Sequence, residues 1–147
     1  MDEAKTQKFF MEFLTESILE VHHIATGYEP GDKMLRDRGT LEFLVYSSLR
    51  KCGSDTDKIA ASLLHGIATM HPFMDGNKRT ALLTGMVLIM LAHGEQNTEI
   101  IRQHFSKIDW NKREDAIVKF MLETADCKHD ENEVLEFLKR NFVKPPL

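Results

Sequence analysis

Apolar residues recur at helical spacing along almost the whole chain. Phe9, Phe10, Phe13, Leu14, Ile18, Val21 and Ile24 form a stripe across residues 6–25, the period of a helix with one buried face. Gly27 ends that pattern, and residues 28–32 read as a loop around Pro30 and Gly31. Thr40 stands where it can cap a helix over residues 41–51, and Gly53, Ser54 and Asp55 make the next break. Ile59, Ala60, Leu63, Leu64 and Ile67 mark the core face of a helix from about residue 57 to residue 70. Pro72 disfavours α geometry at His71, which stops that helix. A second helix is expected from about Lys78 to His93, with Gly94 as its stop. It is apolar almost all round, as the central helix of a domain should be. Three more helices fit residues 98–108, 112–125 and 131–142, with Asn111 and Asp130 as caps for the last two. Strand-like alternation is nearly absent, apart from short extended pieces in residues 27–39. The pattern predicts one all-α domain over residues 1–147, with a helical extension at 1–14 and a short tail at 143–147.

Composition narrows the function more than the fold. The chain has 147 residues, is 42% hydrophobic and 29% charged, and carries a formal net charge of −4. That length supports one real core. The negative balance argues against nucleic-acid binding over a basic surface, yet allows a local basic pocket. Cys52 and Cys127 have no metal-type spacing and fit a reducing compartment. Residues 1–8 are charged and polar and do not read as a secretory signal. The longest apolar run, residues 81–92, is interrupted by Thr84 and Gly85 and is too short to span a bilayer. A cytoplasmic protein without membrane partners is the expectation.

The chemistry concentrates in residues 71–79, His-Pro-Phe-Met-Asp-Gly-Asn-Lys-Arg. A Mg²⁺-nucleotide site needs a carboxylate for the metal, cations and a helix start for the phosphates, and a base that works near neutral pH. His71 at a helix end can be that base; such a residue taken alone more often simply caps the helix. Asp75 is a hard oxygen ligand suited to Mg²⁺, or an ordinary turn residue with Gly76. Gly76 permits a left-handed backbone or close approach of a phosphate. Asn77 can cap the next helix and present its amide to a phosphate. Lys78 and Arg79 open that helix, where cations oppose its dipole, so a bound anion is expected between them. Phe73 reads as a buried anchor for the loop. Elsewhere, His65 reads as a core or groove histidine. His65, His71 and Asp75 lack the cysteines and spacing of a zinc site. Arg36 and Asp37 either order a loop over the site or pair with each other. Met70, Met74, Met86 and Met90 read as core filling.

Residues 71–81, ending Thr80-Ala81, resemble the signature of the Fic/Doc family, and the Lys-Arg pair resembles its Doc (death-on-curing) branch. The likeness extends to Val21-His22, to residues 35–42 and to residues 60–94, and covers roughly residues 15–142. The resemblance implies the family's helical fold, with the motif in a central helix–loop–helix. It implies that His71 deprotonates a hydroxyl of a target protein, that Asp75 holds Mg²⁺, and that residues 76–79 bind the phosphates of ATP or another nucleoside triphosphate. AMP-transferring members carry Gly where this chain has Lys78, and a second Arg where it has Leu82. Doc-like members transfer the γ-phosphate. The expectation is therefore a phosphotransferase acting as the toxin of a toxin–antitoxin pair, with a translation factor such as elongation factor Tu as target and a separate antitoxin as partner. A homodimer is left open. AMPylation is the runner-up, and a catalytically silent binding module of this fold is the second alternative. Residues 127–132 are a near miss to the family's inhibitory motif, with Cys127 where Ser or Thr should stand. No self-inhibition is expected.

Overall fold

The computed structural model describes residues 2–29 and 32–145. Among them the chain forms seven helices: α1 (Glu3–Thr26), α2 (Arg38–Cys52), α3 (Thr56–Met70), α4 (Asn77–Ala92), α5 (Thr98–Ser106), α6 (Ala116–Ala125) and α7 (Glu131–Phe142), with a short 3₁₀ turn at Asp32–Met34. The fold is all-α, as the periodicity predicts. The extended pieces expected within 27–39 reduce to one antiparallel bridge, between Leu35 and Phe73. Pro30 and Gly31 of the predicted loop, and residues 146–147 of the tail, lie outside the described residues. Of the expected extension at 1–14, Met1 lies outside the described residues, and residues 3–14 are the first half of one continuous α1.

Helices α3 and α4 are the hub, and α1, α2, α6 and α7 pack around them. Two glycines allow the close approach. A Cβ on Gly66 of α3 would lie 2.2 Å from Leu44 of α2, and one on Gly85 of α4 would lie 2.8 Å from Leu64 of α3. Leu63, Leu64 and Ile67 from α3 and Leu82, Met86 and Ile89 from α4 are fully buried between them. That burial is the main source of stability in a helical domain of this size.

Sequence expectations about helix starts needed three corrections. Thr40 does not cap α2. Asp37 does, because its carboxylate accepts from Gly39 N–H at 3.0 Å and from the Thr40 hydroxyl at 2.9 Å, so the helix begins earlier. Asn111 does not cap α6. The chain turns through residues 109–115, and Asp115 accepts from the N–H groups of Ile117 and Val118. Asn77 is the first residue of α4 and Gly76 is its cap. Asp130 caps α7 as expected, in a full capping box with Glu133.

The apolar stripe of α1 is only half core. Ile18 and Leu19 are buried, but Phe9, Phe10 and Phe13 are 50–58% exposed and pack on one another. Early in this 24-residue helix, Gln7, Phe10 and Met11 face Tyr46, Leu49 and Arg50 of α2 across an open groove that leaves the Phe side chains uncovered. The methionines also divide. Met86 and Met90 fill the core, while Met70 and Met74 are exposed on either side of His71.

Candidate active site

The loop between α3 and α4 is fixed from three sides. At its start, α3 ends on His71, whose backbone is left-handed (φ 51°, ψ 61°) and whose N–H donates to Ile67 C=O. Pro72 forbids continuation of the helix, and the left-handed turn is uncommon for a residue with a Cβ. In the middle, Arg36 N–H donates to Pro72 C=O and Met74 N–H to Met34 C=O, both at 2.8 Å, so the segment before α2 runs alongside the loop. Of the two expectations for Arg36 and Asp37, ordering the loop or pairing with each other, the structure shows a backbone bond from Arg36 to the loop and Asp37 capping α2. At its end, the Asn77 side chain reaches back to Phe73. Its amide oxygen accepts from Phe73 N–H at 2.9 Å and its NH₂ donates to Phe73 C=O at 2.8 Å. Asn77 therefore braces the loop.

Phe73 is the buried anchor the sequence predicts, at 0% exposure. Its ring stacks on His22 of α1, with centroids 4.1 Å apart and planes within 9°. His22 is itself buried, and its Nε2 lies 2.9 Å from the Asp75 carbonyl oxygen, which can only accept, so Nε2 is the donor. Sequence reasoning singled out His22 by resemblance alone; the structure gives it the task of holding the turn at Asp75.

Gly76 is left-handed at φ 81°, and a Cβ there would lie 2.3 Å from Thr26 Cγ2. Both conditions call for glycine. A glycine cap has no side chain to offer, and among the described residues α4 alone starts without a side-chain cap. The other six helices start on Asp or Asn. The orphan amides of its first turn stay available to an acceptor, beside Lys78 and Arg79.

Asp75 is exposed. Its Oδ2 accepts from the Tyr28 hydroxyl at 2.7 Å and its Oδ1 from Gly76 N–H at 2.9 Å. The Tyr28 bond, then the Gly76 bond, hold its carboxyl below the usual carboxylate range; burial opposes them, and the Arg79 and Lys78 charges add a lesser pull downward. The same bond and the Asp75 charge push the Tyr28 phenol up.

These residues surround a cavity of about 320 Å³, near the lower end of small-molecule sites. Asp75, Gly76, Asn77, Lys78 and Arg79 line it with Thr26 and Tyr28, and Trp110, Arg113, Val118 and Leu122 complete the lining from the α5–α6 connection and α6. His71 is not among the lining residues, and Phe73 lies behind them in the core. So the structure gathers five of the seven expected site residues around one space and leaves His71 at the preceding turn. Leu82 is fully buried in the core and offers nothing to this cavity. Asp75 is the sole acidic lining residue, and no group of three or more His, Cys, Asp or Glu among the described residues could hold a metal ion. This donor set suits Mg²⁺ arriving already bound to phosphates, since Mg²⁺ is content with one carboxylate plus phosphate oxygens and waters. His65 bonds the His129 carbonyl oxygen at 3.0 Å, as a groove histidine would.

Sequence reasoning missed Tyr28, Trp110 and Arg113. Tyr28 stood in a stretch read only as a loop. Arg113 belongs to Asn111-Lys112-Arg113, which repeats the Asn77-Lys78-Arg79 of the motif; that second tripeptide was the available signal. No helix of the described residues is long and apolar enough to cross a membrane. The model of the Fic/DOC family matches residues 12–89, just over half of the chain. A search of curated proteins finds none that match.

Proposed function

The chain belongs to the Fic/DOC family, whose members are generally transferases of AMP or phosphate to a protein, and we propose that it transfers the γ-phosphate of a Mg²⁺-bound nucleoside triphosphate to a protein hydroxyl. One observation carries the reading: Lys78, where AMP-transferring members have Gly, lines the cavity between Asp75 and Arg79. A Lys there fills volume that glycine leaves open and holds phosphate as a point charge. The buried Leu82 adds no second charge on α4. Both features disfavour an α-phosphate close to the backbone of the helix start.

In this reading Lys78, Arg79 and the first amides of α4 hold the phosphates. Asp75 would hold the Mg²⁺ that accompanies the nucleotide, and that ion would supply charge neutralisation at the phosphates. His71, outside the cavity lining, meets the target protein and takes the proton of its hydroxyl. The hydroxyl oxygen bonds to the γ-phosphorus, the bond from that phosphorus to the β-γ bridging oxygen breaks, and the nucleoside diphosphate leaves with the bonding pair. By resemblance to Doc, the target is a translation factor such as elongation factor Tu, the role is that of a toxin, and a separate antitoxin restrains it.

The test is an incubation with γ-labelled or α-labelled ATP and a ribosome-free lysate. Label on a protein from γ-ATP alone, lost in His71→Ala, supports phosphotransfer. Label from α-ATP supports nucleotidyl transfer, and label from neither supports a silent binding module.

A further inference from the structure

Resting on that nucleotide reading, we propose that Arg113 is a second phosphate-binding guanidinium of the site, and that Trp110 is the residue that positions Arg79. Both come from the connection between α5 and α6, beyond the residues matched to the family.

Lys78 and Arg79, from the start of α4, and Arg113, from the α5–α6 connection, line one cavity. Three cations thus meet one carboxylate, Asp75, whose two oxygens already accept from Tyr28 and Gly76. Cations converging on one space repel each other unless an anion joins them. Arg113 had acidic alternatives beside it in sequence. Asp109 instead accepts from Asn111 N–H, and Asp115 accepts from Ile117 and Val118 N–H. Among the described residues Arg113 makes no ion pair.

Its connection is also ordered. Lys112 N–H donates to Asp109 C=O at 3.0 Å and Asp115 N–H to Lys112 C=O at 3.1 Å. Trp110 rests against Phe105 of α5 with centroids 6.2 Å apart. A backbone held by such a turn fixes where the Arg113 side chain starts, so its guanidinium needs no loop rearrangement to reach a ligand in the cavity. Trp110 acts on Arg79. The Arg79 guanidinium carbon lies 6.0 Å from the centre of its ring, the outer range of a cation–π contact. An Arg held by its face keeps its edge N–H groups for paired bonds to phosphate.

Calorimetry with Mg²⁺-ATP and with Mg²⁺ plus inorganic tripolyphosphate tests this. Arg113→Ala should weaken both ligands by about 10-fold, as loss of a charge-assisted phosphate contact does. Arg113→Lys should recover only part of that affinity, since Lys offers a point charge without the fork. Trp110→Ala should weaken binding while Trp110→Phe largely preserves it, and the Trp110→Ala loss should vanish in an Arg79→Ala background. Circular dichroism confirms that each variant is folded. If Arg79→Ala loses tripolyphosphate affinity and Arg113→Ala stays within about twofold, the inference falls and the nucleotide reading stands. An Arg113→Ala loss seen for ATP but not tripolyphosphate would place the residue at the nucleoside and overturn the assignment. Failure of the parent protein to bind either ligand would overturn both.

Discussion

The side-chain amide of Asn77 bonds both backbone polar groups of Phe73, accepting from its N–H at 2.9 Å and donating to its C=O at 2.8 Å. Phe73 is fully buried, so these groups have little water to fall back on. One side chain thereby ties the start of α4 to the middle of the loop and sets the spacing between His71 and the cavity.

Asn77→Ala should therefore cost about 2–4 kcal/mol, because it strands two backbone groups at once. Asn77→Asp should cost less, since the carboxylate still accepts from Phe73 N–H. Urea denaturation of the three proteins checks the order, and equal stability of parent and Asn77→Ala would contradict the bracing role.

Gly76→Ala should destabilise by about 1–3 kcal/mol, from the left-handed backbone together with the clash against Thr26. Adding Thr26→Ser removes the Cγ2 that stands 2.3 Å from the new Cβ. The double variant should recover the steric part and keep the backbone part. No recovery would mean that the clash is absorbed elsewhere.

The Tyr28–Asp75 bond makes a prediction about pH. Asp75 has its carboxyl below the ordinary range when folded, so the contribution of this bond is present above the unfolded carboxylate pKa. It is lost as pH falls through the depressed folded value. Tyr28→Phe should move the Asp75 titration upward towards the ordinary value, because the first cause of its depression is gone. Carbon-13 NMR of the Asp75 carboxyl across acid pH reads this directly. An unchanged midpoint would show that Gly76 and the cations suffice.

Glu131 bears on control. In the near-miss inhibitory stretch it opens α7, pairs with Lys51 and accepts from the Ser62 hydroxyl at 3.3 Å. It is not among the residues lining the cavity. Glu131→Gln, which keeps a good helix former at that position, should leave transfer within about twofold of the parent. A strong gain in activity or toxicity would expose a built-in brake.

Much of this fold was legible because helices announce themselves by period and caps. The stripe at Ile59, Leu63 and Ile67 and the box at Asp130 and Glu133 each depend on neighbours within one or two turns. The misread starts at Thr40 and Asn111 had a competing Asp nearby, and sequence alone does not say which oxygen reaches the amides. The exposure of Phe9, Phe10 and Phe13 differs from the stripe's expectation because periodicity reports a face, not whether a neighbouring helix packs closely enough to cover it. In the site, residues 73–79 are contiguous and their joint placement followed from the motif. Tyr28, Trp110 and Arg113 stand 49, 33 and 36 positions from Asn77 in no regular pattern, so only the folding of the segments after α1 and before α6 around the start of α4 reveals them.

The mass of the group attached to a target protein tests phosphotransfer most directly. A phosphate adds about 80 Da and AMP about 329 Da to a hydroxyl, and the former brings the larger local charge change. The parent protein, with Lys78 lining the cavity, should leave only the smaller adduct in the presence of Mg²⁺-ATP, and Lys78→Gly should reduce its yield. An AMP-sized adduct made by the parent protein would contradict phosphotransfer and establish nucleotidyl transfer in its place.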